Sequence, residues 1–331
     1  MSETLEQFPQ KVPLGIFLLA GLSCFMFFSF YYVFPLGVLI SLFSPIPLIY
    51  IYLVHGKRVG VSVIAGLTVF LVFVGSGVSG LLFLIQYGLI TVILAESFRR
   101  KYKIEQTVLF GVFVSVSAGF VVFLMLFSIL DVNPIEFLKN QIHINVNQNL
   151  QPYREMDPKN ESIVVEYAQS VKTFLFNSLP ALITVGSGVA ILMNYLMFKY
   201  LWLRVRAEEI GDSRNPTHWM LPDKFIWGFI ISGTFILMPG SVFNAIGLNL
   251  LILFLAVYMT QGVSILLFFL NKAMVPNLYR FLFLGLLLVT PFFPIFVMAL
   301  TGLGLFDMWA DFRKLRKVPI GPGGSVQQQK G

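Results

Sequence analysis

Charged residues are scarce in this sequence. Of its 331 residues, 12% are charged and 57% are hydrophobic, whereas an ordinary soluble domain carries about 25% charged residues. A soluble protein of this length would need a charged surface that this composition cannot supply. We therefore predict an integral membrane protein whose outer solvent is lipid.

Cysteine and histidine are almost as rare. Cys24 is the only cysteine, which excludes an internal disulfide, and its apolar surroundings indicate a small packing residue. The three histidines, His55, His143 and His218, stand singly in polar segments, without the spacing of a metal site. We therefore expect no bound metal and no cofactor.

Long apolar runs are abundant. A bilayer core of about 30 Å takes roughly 20 apolar residues of helix. Nine segments are candidates: 13–33, 36–54, 59–74, 78–96, 106–130, 172–200, 224–238, 243–270 and 278–306. The predicted fold class is therefore an all-α membrane protein, a polytopic bundle of about eight full transmembrane helices followed by a ninth segment.

Prolines interrupt two of these segments. Pro291 and Pro294 of the PFFP motif should break the last one. We favour a C-terminal hairpin there, and one long kinked helix is the alternative. Pro45 and Pro47 of the SPIP motif should break the second segment and free backbone carbonyls, which another group must then satisfy.

Positive charge alternates between the predicted connections. Lys and Arg cluster at 57–58, 99–103, 204–214 and 272–280, whereas the connections at 34–35, 75–80 and 239–241 carry no charge. Cytoplasmic loops hold the Lys and Arg excess. We therefore predict a multi-pass protein of the bacterial cytoplasmic (inner) membrane with its N-terminus in the cytoplasm.

A polar segment divides the chain into two membrane halves. Residues 131–171 form a predicted extracytoplasmic loop between the halves 1–130 and 172–312, and the basic tail 313–331 should be disordered in the cytoplasm. Behind Pro134 the loop has apolar residues three or four apart: Ile135, Leu138, Ile142 and Val146. This spacing predicts an amphipathic helix that rests on the membrane interface or caps the bundle.

Ionisable residues are missing from the interior of all nine segments. Ion-coupled carriers and voltage sensors usually place such residues at mid-membrane, and intramembrane proteases need catalytic pairs there. We therefore expect no enzyme. A remote alternative is a lipid-modifying enzyme, in which Asp307 and Asp311, one helical turn apart, hold Mg²⁺. Alternatively, these two acids balance the charges of Arg313 and Lys314.

Neutral polar residues do occur within the segments or at their edges. A candidate ligand cavity would be lined by Gln86, Tyr87, Asn177, Asn194, Asn249, Tyr258 and Gln261. The alternative is that these side chains form hydrogen bonds between helices. Gly111, Ser115 and Gly119 form a ridge of small residues four apart, which is typical of closely packed helices.

Several motifs resemble the YybS-like family, a group of bacterial polytopic membrane proteins of unassigned function. The matching positions are Pro222, Trp227, Gly247, Asn249, Gln261, Gly262, Gly304, Asp307, Asp311 and Arg313, together with SPIPL near the N-terminus. That family is grouped with substrate-binding components of energy-coupling-factor transporters and, more distantly, with the cell-shape protein MreD. The resemblance implies a helical bundle around a small-molecule pocket that works with an ATPase module.

We therefore expect a non-catalytic small-molecule-binding or transport-related component that works with an ATPase module. The alternative is a scaffold of the MreD type that recruits envelope proteins. Its partners are the lipid bilayer and one of these protein classes, and we expect no nucleic acid. A binder should direct Gln86, Asn249 and Gln261 into an enclosed cavity, whereas a scaffold should have these amides paired in a packed core.

Overall fold

All the regular secondary structure is helical in the part of the protein that its structure, a computed structural model, describes. The described residues are 14–33, 36–75, 77–156, 161–214, 216–276, 279 and 293–315, and no strand occurs among them. The predicted all-α fold is confirmed. The chain forms two compact units, Met1–Ser213 and Arg214–Gly331.

The first unit has nine α-helices among its described residues. They are α1 (Leu14–Tyr32), α2 (Leu36–Leu42), α3 (Pro45–His55), α4 (Lys57–Val74), α5 (Gly77–Phe83), α6 (Leu89–Arg100), α7 (Ile104–Leu130), α8 (Pro134–Met156) and α9 (Glu161–Arg206). A π-helix, Leu84–Gly88, joins α5 to α6. Six stretches of this unit are long and apolar enough to cross a membrane: α1, α2 with α3, α4, α5 with α6, α7 and α9.

The second unit is smaller. Its described helices are a short 3-10 helix (Pro216–His218), α10 (Phe225–Leu237), α11 (Ser241–Lys272) and α12 (Phe293–Ala310). Of these, α11 meets the length and hydropathy expected of a membrane span, and α10 and α12 are shorter apolar helices. The predicted C-terminal hairpin depends on residues 280–292, including Pro291, which lie outside the described residues. Pro294 lies in the first turn of α12, where its missing N–H breaks no helical hydrogen bond.

Lipid-facing surface is most evident on α7. Its span has a mean hydropathy of 2.5, and only 11% of that span is buried in the protein. Leu109, Phe113 and Met125 are each more than half exposed. Exposure of such an apolar surface to water is unfavourable, and exposure to hydrocarbon is not. This helix is therefore suited to contact with lipid.

The polar loop between the membrane halves folds as a helical hairpin, which we call the α8–α9 hairpin (134–177). The Lys139 ammonium lies 5.3 Å from the Phe176 ring centroid, and Lys172 Nζ lies 3.3 Å from His143 Nδ1. These pairs run antiparallel along α8 and the start of α9. Helix α9 has 46 residues, or about 69 Å at 1.5 Å per residue, roughly twice the bilayer core. The hairpin therefore extends beyond the membrane.

The amphipathic helix predicted in this loop is present as α8. Val146 is buried, but Ile135, at the start of the same predicted apolar row, is 56% exposed. The row therefore packs against α9 over only part of its length.

Small residues lie where α7 and α9 pack against each other. A Cβ added to Gly111 would lie 2.9 Å from Ile191 Cδ1, and one added to Gly188 would lie 3.5 Å from Val112. Ser115 is buried on the same ridge. Gly119 has more room, since its nearest neighbour is Ile85 at 3.9 Å.

Candidate functional site

The densest polar cluster of the second unit lies where α11 and α12 cross. Two glycines permit the approach: a Cβ at Gly262 would collide with the Leu300 carbonyl oxygen, and one at Gly304 with the Tyr258 carbonyl oxygen. The two helix backbones are thus in direct contact, a geometry typical of small residues at membrane interfaces. This contact brings Gln261 of α11 beside Asp307 of α12.

A buried ion pair forms the centre of the cluster. Arg313 Nη2 donates to Asp307 Oδ2 at 2.9 Å, and both side chains are 1% exposed. Gln261 Nε2 donates to the same carboxylate oxygen at 2.8 Å, and the Phe312 N–H donates to Oδ1 at 3.0 Å. Both carboxylate oxygens of Asp307 are therefore occupied.

The remaining groups of the cluster hold the segment 217–221. Arg313 Nη1 donates to the carbonyl oxygens of Thr217 and Trp219 at 2.8 and 3.0 Å and to Ser264 Oγ at 2.9 Å. Gln261 Oε1 accepts from the Leu221 N–H at 3.0 Å. The network thus clamps the start of the second unit onto both helices, and both ends of the Gln261 amide are used.

Asp307 and Asp311, the two residues proposed to hold Mg²⁺, have different surroundings in the structure. Asp307 is fully engaged with Arg313 and Gln261, whereas Asp311 is partly exposed and its Oδ1 accepts from the Leu315 N–H. Within the described ranges, no group of three or more His, Cys, Asp or Glu residues could hold a metal ion. An arginine that balances the charge of a buried carboxylate makes a structural link, and here both oxygens of Asp307 accept hydrogen bonds from the protein itself.

The other cavity candidates of this unit differ in their surroundings. Asn249 is half-buried and donates to the Ala245 carbonyl of its own helix at 2.8 Å. Tyr258 is 2% exposed, and its hydroxyl has no hydrogen-bond partner in the described part of the chain. Tyr258 is thus a candidate that keeps an unused polar atom in the interior.

In the first unit, Asn194 repairs the helix break between α2 and α3. Neither Pro45 nor Pro47 can donate, and the Ile46 N–H bonds to the Phe43 carbonyl, which leaves the Leu42 carbonyl without its helical donor. Asn194 Nδ2 reaches from α9 to the Leu42 carbonyl at 2.8 Å. A carbonyl group that is freed at a helix break within the membrane needs a hydrogen-bond donor, and Asn194 supplies it here.

Asn194 is completely buried, and this leaves one atom unused. Its Nδ2 also donates to the Ala190 carbonyl at 2.8 Å, but its Oδ1 has no partner among the described residues.

Gln86 does not face the bundle interior. A regular helix would align it with Ser79 and Ser97, and Ser97 is buried. The π-helix Leu84–Gly88 widens the turn at this point and shifts the helical phase, and Gln86 is exposed. The predicted alignment therefore fails at Gln86, because an irregular turn cannot be inferred from a 100° periodicity.

The remaining candidates have simpler roles. Tyr87 is buried beside Phe27 and Phe83, with ring centroids 5.6 and 6.0 Å away, and it packs in an aromatic cluster. Asn177 is half-buried in α9. The cavity candidates thus belong to two separate units, and a shared cavity stays a prediction.

Replacement of Asn194 by Ala should lower the free energy of unfolding by about 1–2 kcal/mol. The Leu42 carbonyl would lose the hydrogen bond that the fully buried Asn194 side chain donates. Thr68→Val is the matched control, because the Thr68 hydroxyl bonds only to the Ile64 carbonyl of its own helix. SDS-titrated unfolding of both variants checks the prediction, and equal midpoints would contradict it.

The burial of Arg313 was not predicted. The sequence predicted that Arg313 begins a disordered basic tail or that Asp307 and Asp311 balance the charges of Arg313 and Lys314, whereas the Arg313 side chain is buried against Asp307. The available signal was an Asp at the end of an apolar segment that contains closely spaced glycines.

Comparison with known proteins gives a family. The family model described as Predicted membrane protein (DUF2232) matches residues 21–308. This match covers both units and includes Gln261 and Asp307, and it ends before Arg313. Searches of curated proteins and of solved structures give no match to this chain.

Proposed function

We propose that this chain, which belongs to the family described as Predicted membrane protein (DUF2232), is a non-catalytic scaffold of the bacterial cytoplasmic membrane. In this role it recruits envelope proteins and binds no metabolite. The observation that carries the proposal is the Gln261 amide. Both of its ends are used by the protein itself, through Asp307 and the Leu221 N–H.

The other predicted binding amides also favour a scaffold. Asn194 supports a helix break, Asn249 bonds to its own helix, and Gln86 is on the surface. A binding pocket would instead direct several polar groups at one space. The resemblance to the YybS-like family, with its distant link to MreD, fits the same role.

The α8–α9 hairpin supplies a surface for such recruitment. Ile163, Tyr167 and Phe174 lie on one face of α9 and are 62%, 61% and 48% exposed. Ile163 and Tyr167 precede the predicted membrane segment 172–200, and Phe174 lies at its start. This apolar face therefore projects from the lipid. On the predicted topology it projects to the extracytoplasmic side.

A photocrosslinking amino acid at position 167 tests the scaffold role in living cells. We expect a few discrete protein adducts, which mass spectrometry identifies as envelope-assembly proteins. The same probe at Leu109, 72% exposed on the lipid face of α7, is the control and should crosslink lipid only. Adducts with ATPase subunits, or the absence of any protein adduct at 167, would contradict the scaffold role.

A small-molecule-binding or transport component is the second candidate. It is favoured by two buried atoms without a partner in the described ranges, Asn194 Oδ1 and the Tyr258 hydroxyl. A binder should retain a small molecule through purification and lose it on Tyr258→Phe, which removes only the hydroxyl. The magnesium-dependent enzyme gains no support, since Asp307 has both oxygens engaged.

A further inference from the structure

We propose that Gln86 is the centre of a homodimer contact within the membrane, where it pairs with Gln86 of a second copy of this chain. The contact surface is the exposed row Val78, Leu82 and Gln86 on the span Gly77–Arg100. This inference goes beyond the scaffold role and does not depend on it.

The depth of Gln86 in the bilayer makes its exposure costly. It is the tenth residue of a 24-residue span, about 14 Å from the start of that helix at 1.5 Å per residue. This position is close to the middle of a bilayer core about 30 Å thick. Hydrocarbon offers no hydrogen bond to an amide, so a primary amide facing lipid at this depth requires a protein partner.

The π-helix is a second and independent observation. Without it, Gln86 would share the direction of the buried Ser97 and point into the protein. The turn Leu84–Gly88 has the wider π geometry, with the Leu89 N–H bonded to the Leu84 carbonyl. Such turns are rare and are frequently found at functional sites. Here the irregular turn rotates the amide outward.

The chemistry of the amide indicates a second copy of the chain. A two-fold axis places each residue of an interface opposite its own copy. Glutamine has both a donor and an acceptor, so two Gln86 side chains can form two reciprocal hydrogen bonds. The neighbours Val78 and Leu82, 52% and 46% exposed, are apolar and equally self-complementary. No charge on this row would repel its copy.

Resonance energy transfer between labelled full-length chains in phosphatidylcholine–phosphatidylglycerol vesicles tests the contact. We expect a dimer whose dissociation constant rises at least tenfold on Gln86→Leu, and less on Gln86→Asn, which keeps a donor and an acceptor. Thr68→Val is the control and should leave the dimer unchanged. Because Gln86 is exposed in the single chain, the variant should keep the unfolding midpoint of the wild type at dilutions where both are monomeric.

Crosslinking distinguishes the second copy from other occupants. In a Cys24→Ala background, Leu82→Cys should give a disulfide-linked or reagent-bridged homodimer in native membranes, and Val69→Cys on the exposed surface of α4 should not. A monomer at every protein-to-lipid ratio overturns the proposal. A dimer insensitive to Gln86→Leu, or a Leu82→Cys adduct with a different protein, overturns it equally.

Discussion

Replacement of Asp307 by Asn should lower the free energy of unfolding by about 3–5 kcal/mol, the largest effect that we expect from a single polar substitution. The Arg313 guanidinium would keep its charge in a site where its side chain is 1% exposed, with no carboxylate to balance it. Removal of one member of a buried ion pair has a cost of this size. The variant should expose the segment 217–221, because Arg313 holds the Thr217 and Trp219 carbonyls.

Tryptophan fluorescence during SDS titration measures this effect. Three of the four tryptophans, Trp219, Trp227 and Trp309, belong to the second unit. Asp311→Asn is the matched control, because Asp311 is partly exposed and its loss should cost less than about 1 kcal/mol. Equal midpoints for the two variants would show that the buried pair does not stabilise the unit.

Replacement of Gly304 by Ala should destabilise the protein by about 3 kcal/mol, the upper part of the range for overpacking. The added methyl group would meet the Tyr258 carbonyl oxygen, and backbone cannot move aside as a flexible side chain can. The helices α11 and α12 would separate, and the distance between Gln261 and Asp307 would increase.

Gly302→Ala is the control for this substitution. Gly302 lies on the same helix two residues earlier, and a Cβ there meets nothing within 4 Å. Alanine favours a helix by about 1 kcal/mol over glycine, so this variant should be unchanged or slightly more stable. If the two alanine variants have the same unfolding midpoint, the close helix contact is not present in the membrane.

Local sequence patterns predicted much of the fold. Apolar length identified the membrane helices, and the SPIP prolines located the break between α2 and α3, because both effects act within one segment. Tyr258 and Gln261, which were chosen as candidates because they are polar residues within an apolar segment, are both buried in α11. Features of this kind can be predicted because they depend only on the residues of one helix.

Long-range pairing could not be inferred in this way. Asn194 and Leu42 are hydrogen-bonded although they lie 152 positions apart in the sequence, and Gln261 and Asp307 are hydrogen-bonded across 46 positions. The packing of the helices decides which residues become partners, and this packing cannot be read from a single sequence. The π-turn at Gln86 could not be predicted for another reason. A helical periodicity assumes a constant rotation per residue, and a π-turn changes that rotation.

The proposed scaffold role requires that Gln261 and Asp307 bond to each other across α11 and α12 and do not bind a ligand. A double-mutant cycle between Gln261→Leu and Asp307→Asn tests this claim most directly, with unfolding free energies measured for the full chain in mixed micelles. The account predicts a coupling energy of about 1 kcal/mol or more between the two sites. Additive effects of the two substitutions, within about 0.3 kcal/mol, would contradict it.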